Sequence, residues 1–292
     1  MGKWTLRVAV IQAFALTATL AVALDMYVHK RVEDLDGVNF WGYRGPVAAQ
    51  RRPNEIRVVV VGGTRAFGWG HSSPILASQL RRLILLTTDR PGSALRPVTV
   101  INLGRLGALP DSYAGTLDHF SYLQPDYICI YDDLGMRGTG PIEGASVVFA
   151  LTGYAPVLPL VLRGKGMAWL GAGLGAADRA AARLLVRRDD RPAPYADAML
   201  AAIEAAHRLA HGAVVAVSPA DTTAQAENRQ ALTARLRSEA GPAPWLRFVD
   251  LGAEPQLRGD ALRLDGWNYD GVGTTVVAER ITPALLSLIP LL

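Results

Sequence analysis

The sequence predicts an α/β fold, a mainly parallel sheet with helices on both faces, preceded by one N-terminal apolar helix. Three observations predict it. From residue 56 to the C-terminus, short apolar runs alternate with amphipathic stretches of helical period. The runs are apolar at nearly every position, as strands buried on both faces read, rather than alternating apolar with polar. The stretches between them are long enough for the crossover helices that parallel neighbours require.

Taken in order, residues 56–61 form the first predicted strand and residues 74–87 the first helix. Residues 98–103 and 112–122 repeat the unit, and residues 127–131 supply the third strand. A long helix over 195–210 stops before Gly212, a helix breaker, and leads into the fourth strand at 213–217. A helix near 223–238, a strand at 246–251 and a final helix near 274–287 complete a five-stranded sheet. Ligands of such sheets sit at the carboxyl ends of the strands. The turns after the first three strands and the segment 265–273 are therefore where chemistry is expected.

A chain of 292 residues with 50% hydrophobic content has enough apolar surface for a core, which excludes disorder. Cys129 is the single cysteine, so an intramolecular disulfide framework and a multi-cysteine metal site are excluded. The net charge is +4, but the acids are interspersed with the bases and no aromatic-basic module is present. Nucleic acid is not an expected partner. His119, His207 and His211 fall on or beside predicted helices without a carboxylate or cysteine at ligand spacing, so neither a metal nor another cofactor is expected.

Residues 8–24 are 17 positions without a charge, flanked by Lys3 and Arg7 before and by Asp25, His29, Lys30 and Arg31 after. That length just spans a bilayer, and Trp4 and Tyr27 stand where interfacial aromatics stand. A cleaved signal peptide is the rival reading, since Ala21-Val22-Ala23 fits a small-x-small cleavage pattern. The expected organisation is an anchor at 1–30, a linker at 31–55 and an α/β domain at 56–292. The orientation expected is N-terminus inside, with the bulk of the chain outside the cytoplasm.

Within the domain, residues 142–193 interrupt the rhythm. Residues 144–162 carry no charge over 19 positions, yet Gly153, Pro156 and Pro159 interrupt them, which argues against a straight second span. Two readings stand: a helical hairpin buried over the sheet, or an insertion docking onto lipid or a membrane partner, helped by the arginines that follow. In the second reading Tyr154, Leu158, Leu162 and Trp169 form the interface, because large apolar and aromatic side chains dominate such contacts.

The candidate chemistry lies in four blocks: "VVVVGGTRAFGWG" after the first strand, "VINLGRLGALPDSY" after the second, "PDYICIYDDLGMRG" after the third, and "LDGWNYDGVGTTVVAERI" near the C-terminus. The first is neither a P-loop nor a dinucleotide fingerprint. In order and spacing the four resemble the blocks of the SGNH/GDSL hydrolase family over roughly residues 56–288, excluding the insertion. The resemblance implies a three-layer flavodoxin-like fold. It also implies roles: Thr64 stands where the family has its nucleophilic serine, and Gly104 matches the glycine whose amide helps form the oxyanion hole. Gly135 stands where an asparagine donor is expected. Asp265 keeps the acid of the triad, and Asn268 replaces the histidine base, with Gly273 five residues on.

Chemistry decides what the departures mean. A hydroxyl attacks only when a neighbouring base takes its proton, and imidazole can do so because it has a free basic lone pair. The nitrogen of an amide is delocalised into its carbonyl, so Asn268 can orient but cannot shuttle a proton. Losing a triad base costs about 10⁴–10⁶ in rate, and losing an oxyanion donor about 10²–10³. As a structural residue Thr64 would cap the following helix, and Asp265 would serve a turn or cap.

Thr64, Gly104, Gly135, Asp265 and Asn268 are accordingly read as vestiges, with no catalysis expected. The functional expectation is a bacterial inner-membrane, single-pass pseudoenzyme, periplasmic in its domain. It would act as a structural or binding subunit of a membrane complex, with lipid and protein as partners. The competing expectation is an acyl esterase or acetyltransferase acting on envelope carbohydrate or lipid, which requires a base not visible in the motifs; His71 beside Ser72 and Ser73 is the candidate.

Overall fold

In the computed structural model the described residues are 3–33, 38–39, 41–68, 75–88, 96–105, 108–132, 156, 158, 162, 195–236, 243–263 and 268–290. The chain divides into two compact units, Met1–Val47 with Ala145–Arg187, and Ala48–Gly144 with Arg188–Leu292.

The second unit holds the sheet. Its strands are β1 (Ile56–Gly62), β2 (Val98–Asn102), β3 (Tyr127–Asp132), β4 (Gly212–Val217) and β5 (Leu246–Asp250), all parallel, in the order β2-β1-β3-β4-β5. This is the flavodoxin-like order of a doubly wound sheet. Helices α3 (Leu76–Thr88) and α7 (Gly271–Leu286) pack together on one face. Helices α4 (Tyr113–His119), α5 (Tyr195–Leu209) and α6 (Thr223–Arg235) cover the other, and α2 (Thr64–Phe67) is a single turn directly after β1. The expected α/β class and the five-stranded parallel sheet are thus present.

Burial explains why β1 reads as an unbroken valine run. Val58 and Val60 join Cys129, Tyr131, Val214 and Ala216 beneath α3 and α7, and the intervening Val59 and Val61 point to the opposite face, where they are equally buried. The last helix starts three residues earlier than its periodicity suggests. Asp270 caps it by accepting the Gly273 amide at 2.7 Å, which satisfies an orphan donor and carries the two glycines of its first turn.

In the first unit α1 (Lys3–Glu33) is exposed along its apolar run. Two polar residues of its last turns are covered. Asp25 and His29 are 4% and 1% exposed, and the His29 Nε2 lies 3.4 Å from Asp25 Oδ2. His29 Nδ1 is 2.8 Å from the Val38 carbonyl, so a proton there donates to it. The expected linker contains an ordered turn, closed by an antiparallel bridge between Val38 and Arg44. Leu158 and Leu162 are helical and half-buried, and the Leu158 amide donates to Asp25 Oδ1. Tyr154 and Trp169, the other expected interface residues, lie outside the described residues.

Candidate functional site

The carboxyl end of β1 is built for close approach. A Cβ on Gly62 would lie 2.0 Å from the Tyr131 carbonyl oxygen and 2.7 Å from the Ala66 Cβ, so only glycine lets α2 settle against β3. Thr64 is the first residue of α2 and is buried. It does not cap the helix, contrary to the structural role expected of it. The N-cap is Gly63, in an extended conformation with no side-chain cap bond.

Gly104 follows β2 and meets the same turn. A Cβ there would lie 2.4 Å from the Phe67 amide nitrogen, which makes glycine obligatory. Its own amide is engaged. Gly104 N–H donates to Asn102 Oδ1 at 2.8 Å, and Asn102 Nδ2 donates to the Ala66 and Phe67 carbonyls at 3.0 and 3.3 Å. The fully buried Asn102 thus ties the end of β2 to α2 through two bonds and holds Gly104 with a third. The amide that the family resemblance would assign to an oxyanion hole is thus spent on a protein acceptor.

Next to Thr64, Arg65 turns into the protein with a side chain 1% exposed. A buried guanidinium requires a counter-charge, and Asp221, in the loop after β4, supplies it at 2.9 Å. Arg263 reaches the other oxygen of Asp221 at 2.6 Å. The ring of Tyr269 completes the cluster, 4.8 Å from Arg65 Cζ and 6.0 Å from Arg263 Cζ, both within cation–π range. Burial pushes the Tyr269 phenol above its ordinary pKa, against the opposing charges of the two arginines, and its hydroxyl donates to the Leu257 carbonyl at 3.2 Å. Asn268 precedes Tyr269 and is buried. The first and last sequence blocks therefore meet through Arg65 and Tyr269, in a cluster of two guanidiniums and one carboxylate.

A second carboxylate, fully buried Asp132, ends β3. Tyr113, which opens α4, donates to its Oδ1 at 2.8 Å, and Tyr195, which opens α5, donates to its Oδ2 at 2.6 Å. Both helices are thereby pinned by their first residues to one strand end. Each of these two carboxylates has both oxygens committed to donors.

The described histidines of this unit lie elsewhere. In a parallel α/β fold helices run back toward the amino ends of the strands, so His119, at the end of α4, and His207 and His211, at and just past the end of α5, fall opposite Thr64. His207 stacks on Trp245 with ring centroids 4.0 Å apart. His119 packs edge-on against Phe120, and its pKa is lowered by burial and by the charge of Arg105. Among the described residues no cluster of His, Cys, Asp and Glu is placed to hold a metal ion. Gly135, Asp265 and His71 lie outside the described residues.

Of the candidate residues, the structure thus places Thr64, Gly104 and Asn268 in buried positions next to this network. The sequence reading missed Asn102, Arg65, Asp221, Arg263 and Tyr269; Asp132 it noted, with Asp133, as a weak candidate for a cation or polar ligand, whereas the structure gives both Asp132 oxygens to tyrosine donors. The one available signal was Arg65 itself, a charge inside an otherwise apolar and glycine-rich block.

No family model matches the chain, and no curated protein matches it. Solved structures are similar in fold. A lipase/acylhydrolase from Enterococcus faecalis is 15% identical with a TM-score of 0.47, over 79% of this chain and 95% of that one. A family 3 carbohydrate esterase from Clostridium thermocellum is 13% identical, TM-score 0.46, over 79% and 98%. Another of family 3, from Talaromyces cellulolyticus, is 13% identical, TM-score 0.45, over 80% and 97%. Likeness at this level concerns the path of the chain, and their activities are not carried over by it.

Proposed function

We propose that this chain is a membrane-anchored, SGNH-hydrolase-like protein whose former catalytic end has become a structural joint. It serves as a structural or binding subunit of a membrane assembly, with its α/β domain outside the cytoplasm of a bacterium. One observation carries the reading: the Gly104 amide, which an oxyanion hole would leave for the reacting oxygen, donates to Asn102. Supporting it, Asp132 and Asp221 are committed to tyrosine and arginine donors. Asn268 cannot take a proton. The exposed apolar length of α1 is the surface offered to lipid, and the uncharged run of the sequence at 144–162 is the segment assigned to a partner chain.

The esterase reading retains one favouring observation, that Thr64 still follows β1 beside Gly104. A single assay separates the two. Full-length protein in mild detergent should hydrolyse p-nitrophenyl acetate no faster than its Thr64→Ala variant. A Thr64-dependent rate would establish the esterase and overturn the proposal. For the subunit role, chains that co-purify with the wild type should be lost from the Leu158→Asp/Leu162→Asp variant while circular dichroism stays unchanged; retention of the same chains would remove that interface.

A further inference from the structure

The amino ends of the strands, away from the residues already described, hold a cavity of about 390 Å³. Its wall includes Arg52 from the turn before β1, Arg81 from α3 and Arg96 from the approach to β2, together with Glu55, Thr99 and Leu85. Arg81 and Arg96 are each fixed by one donor. Arg81 Nε donates to the Val98 carbonyl and Arg96 Nε to the Asn54 carbonyl, both at 3.2 Å. Asn54 adopts a left-handed conformation, φ 59°, in the turn that also carries Arg52.

Glu55 is the acid of this wall, and it is not free to neutralise the three arginines. It accepts from Thr99 Oγ1 at 2.5 Å, from the Arg52 amide at 2.8 Å and from Arg57 Nη2 at 3.2 Å. Arg57 is its ion-pair partner, with both side chains almost wholly buried. Among the described residues none of Arg52, Arg81 and Arg96 pairs with a carboxylate. Three guanidiniums thus share one concavity in which the only carboxylate among the described lining residues is already matched by a fourth. Such a field attracts an anion with several oxygens, and the guanidinium fork is shaped for phosphate.

We propose that this cavity binds a phosphate group. The Nη donors of Arg81 and Arg96 grip its oxygens while Nε holds each side chain in place, and Arg52 supplies the third charge. The phosphate can belong to an anionic lipid headgroup or be free in solution. The site goes beyond the proposed subunit role and does not depend on whether Thr64 is catalytic.

The test uses the full-length chain in dodecyl maltoside and follows its thermal unfolding. Dihexanoyl phosphatidylglycerol at saturating concentration should raise the midpoint by about 2–5 °C, and sodium chloride at matched ionic strength should not. The rise should vanish in Arg81→Gln/Arg96→Gln and persist in Arg208→Gln/Arg235→Gln, whose arginines are exposed and pair with Asp118 and Asp197. Should the first double variant fail to fold, Arg52→Gln alone, which removes no bond made within the protein by that side chain, should weaken half-saturation about tenfold. Inorganic phosphate matching the lipid would assign the site to free phosphate; lipid acting alone would assign it to the headgroup. No rise with either, or a rise that survives Arg81→Gln/Arg96→Gln or Arg52→Gln undiminished, overturns the proposal.

Discussion

The amide of Gly104 donates to the side-chain oxygen of Asn102 at 2.8 Å, and the same side chain donates to Ala66 and Phe67. A catalytic turn keeps such an amide aimed at an empty place where charge will develop. Here the amide, the strand end and α2 close on one another through the Asn102 side chain. Asn102→Ala should therefore destabilise the domain by about 2–4 kcal/mol, since it leaves one amide and two carbonyls without their buried partner. Urea unfolding followed by circular dichroism measures it, and a loss below about 0.5 kcal/mol would mean the joint is not structural.

Arg65, Asp221 and Arg263 make a second joint at the same end of the sheet, and its prediction is asymmetric. Removing Asp221 alone strands two buried guanidiniums, so Asp221→Ala should cost about 3–5 kcal/mol. Replacing Arg65 by Met together with Asp221 by Leu removes charge from both sides. That double variant should lose less than Asp221→Ala alone, although Arg263 remains. Equal losses would show that the ion pair contributes nothing beyond packing.

Glu55 gives the pH dependence a definite sign. Burial alone would raise its pKa, but the hydrogen bonds from Thr99, Arg52 and Arg57 and the charge of Arg57 outweigh it and hold the carboxyl below its ordinary 4.5. The unfolded chain then binds the proton more readily than the folded one, so stability rises with pH through this range. The contribution is complete above the unfolded value near 4.5 and is lost as pH falls through the lower folded value. Urea midpoints of wild type should fall on acidification below about pH 5, and those of Glu55→Gln should fall less steeply. Parallel slopes would remove Glu55 from the account.

Cys129 lies in the middle strand with no exposure, and burial pushes its thiol up to about 12. At pH 8 only about one molecule in 10⁴ would carry the reactive thiolate. Ellman's reagent should leave the folded protein unmodified and react fully after denaturation. Rapid reaction of the native chain would contradict the packing of β3.

Much of this architecture was legible in the sequence because parallel strands buried on both faces leave a strong mark. The valines of β1 and the run at β4 can be nothing else. The turns after the strands were legible too, and within them Thr64 and Gly104 were picked out by their resemblance to the SGNH/GDSL pattern. What the sequence hid depends on tertiary distance. Arg65 and Asp221 are 156 positions apart, and nothing local in either announces the other. Asp132 reads as an acid at a strand end, and only the convergence of α4 and α5 reveals that two tyrosine hydroxyls hold it. The start of α7 was misplaced for a local reason: two glycines have poor helix propensity, and the Asp270 cap overrides it.

The N-terminal helix carries the remaining prediction. Its most apolar 18-residue window has a mean hydropathy of 1.9 and is only 6% buried by protein, so the apolar length is left for another solvent. Two polar groups near its end are treated in the opposite way. Asp25 and His29 are covered, paired with each other and bonded to the Leu158 amide and the Val38 carbonyl. A helix that exposes its leucines and covers Asp25 and His29 is suited to hydrocarbon over residues 8–24 and to protein around those two side chains. Wild type should resist carbonate extraction from membranes, at the full 31.3 kDa. A species shortened at Ala23 would instead identify residues 1–23 as a signal peptide. Leu16→Arg/Leu20→Arg places two charges in the run, each costing about 2.5–3.5 kcal/mol near a bilayer centre. That variant should move to the soluble fraction, and extraction of the wild type by carbonate would refute the span.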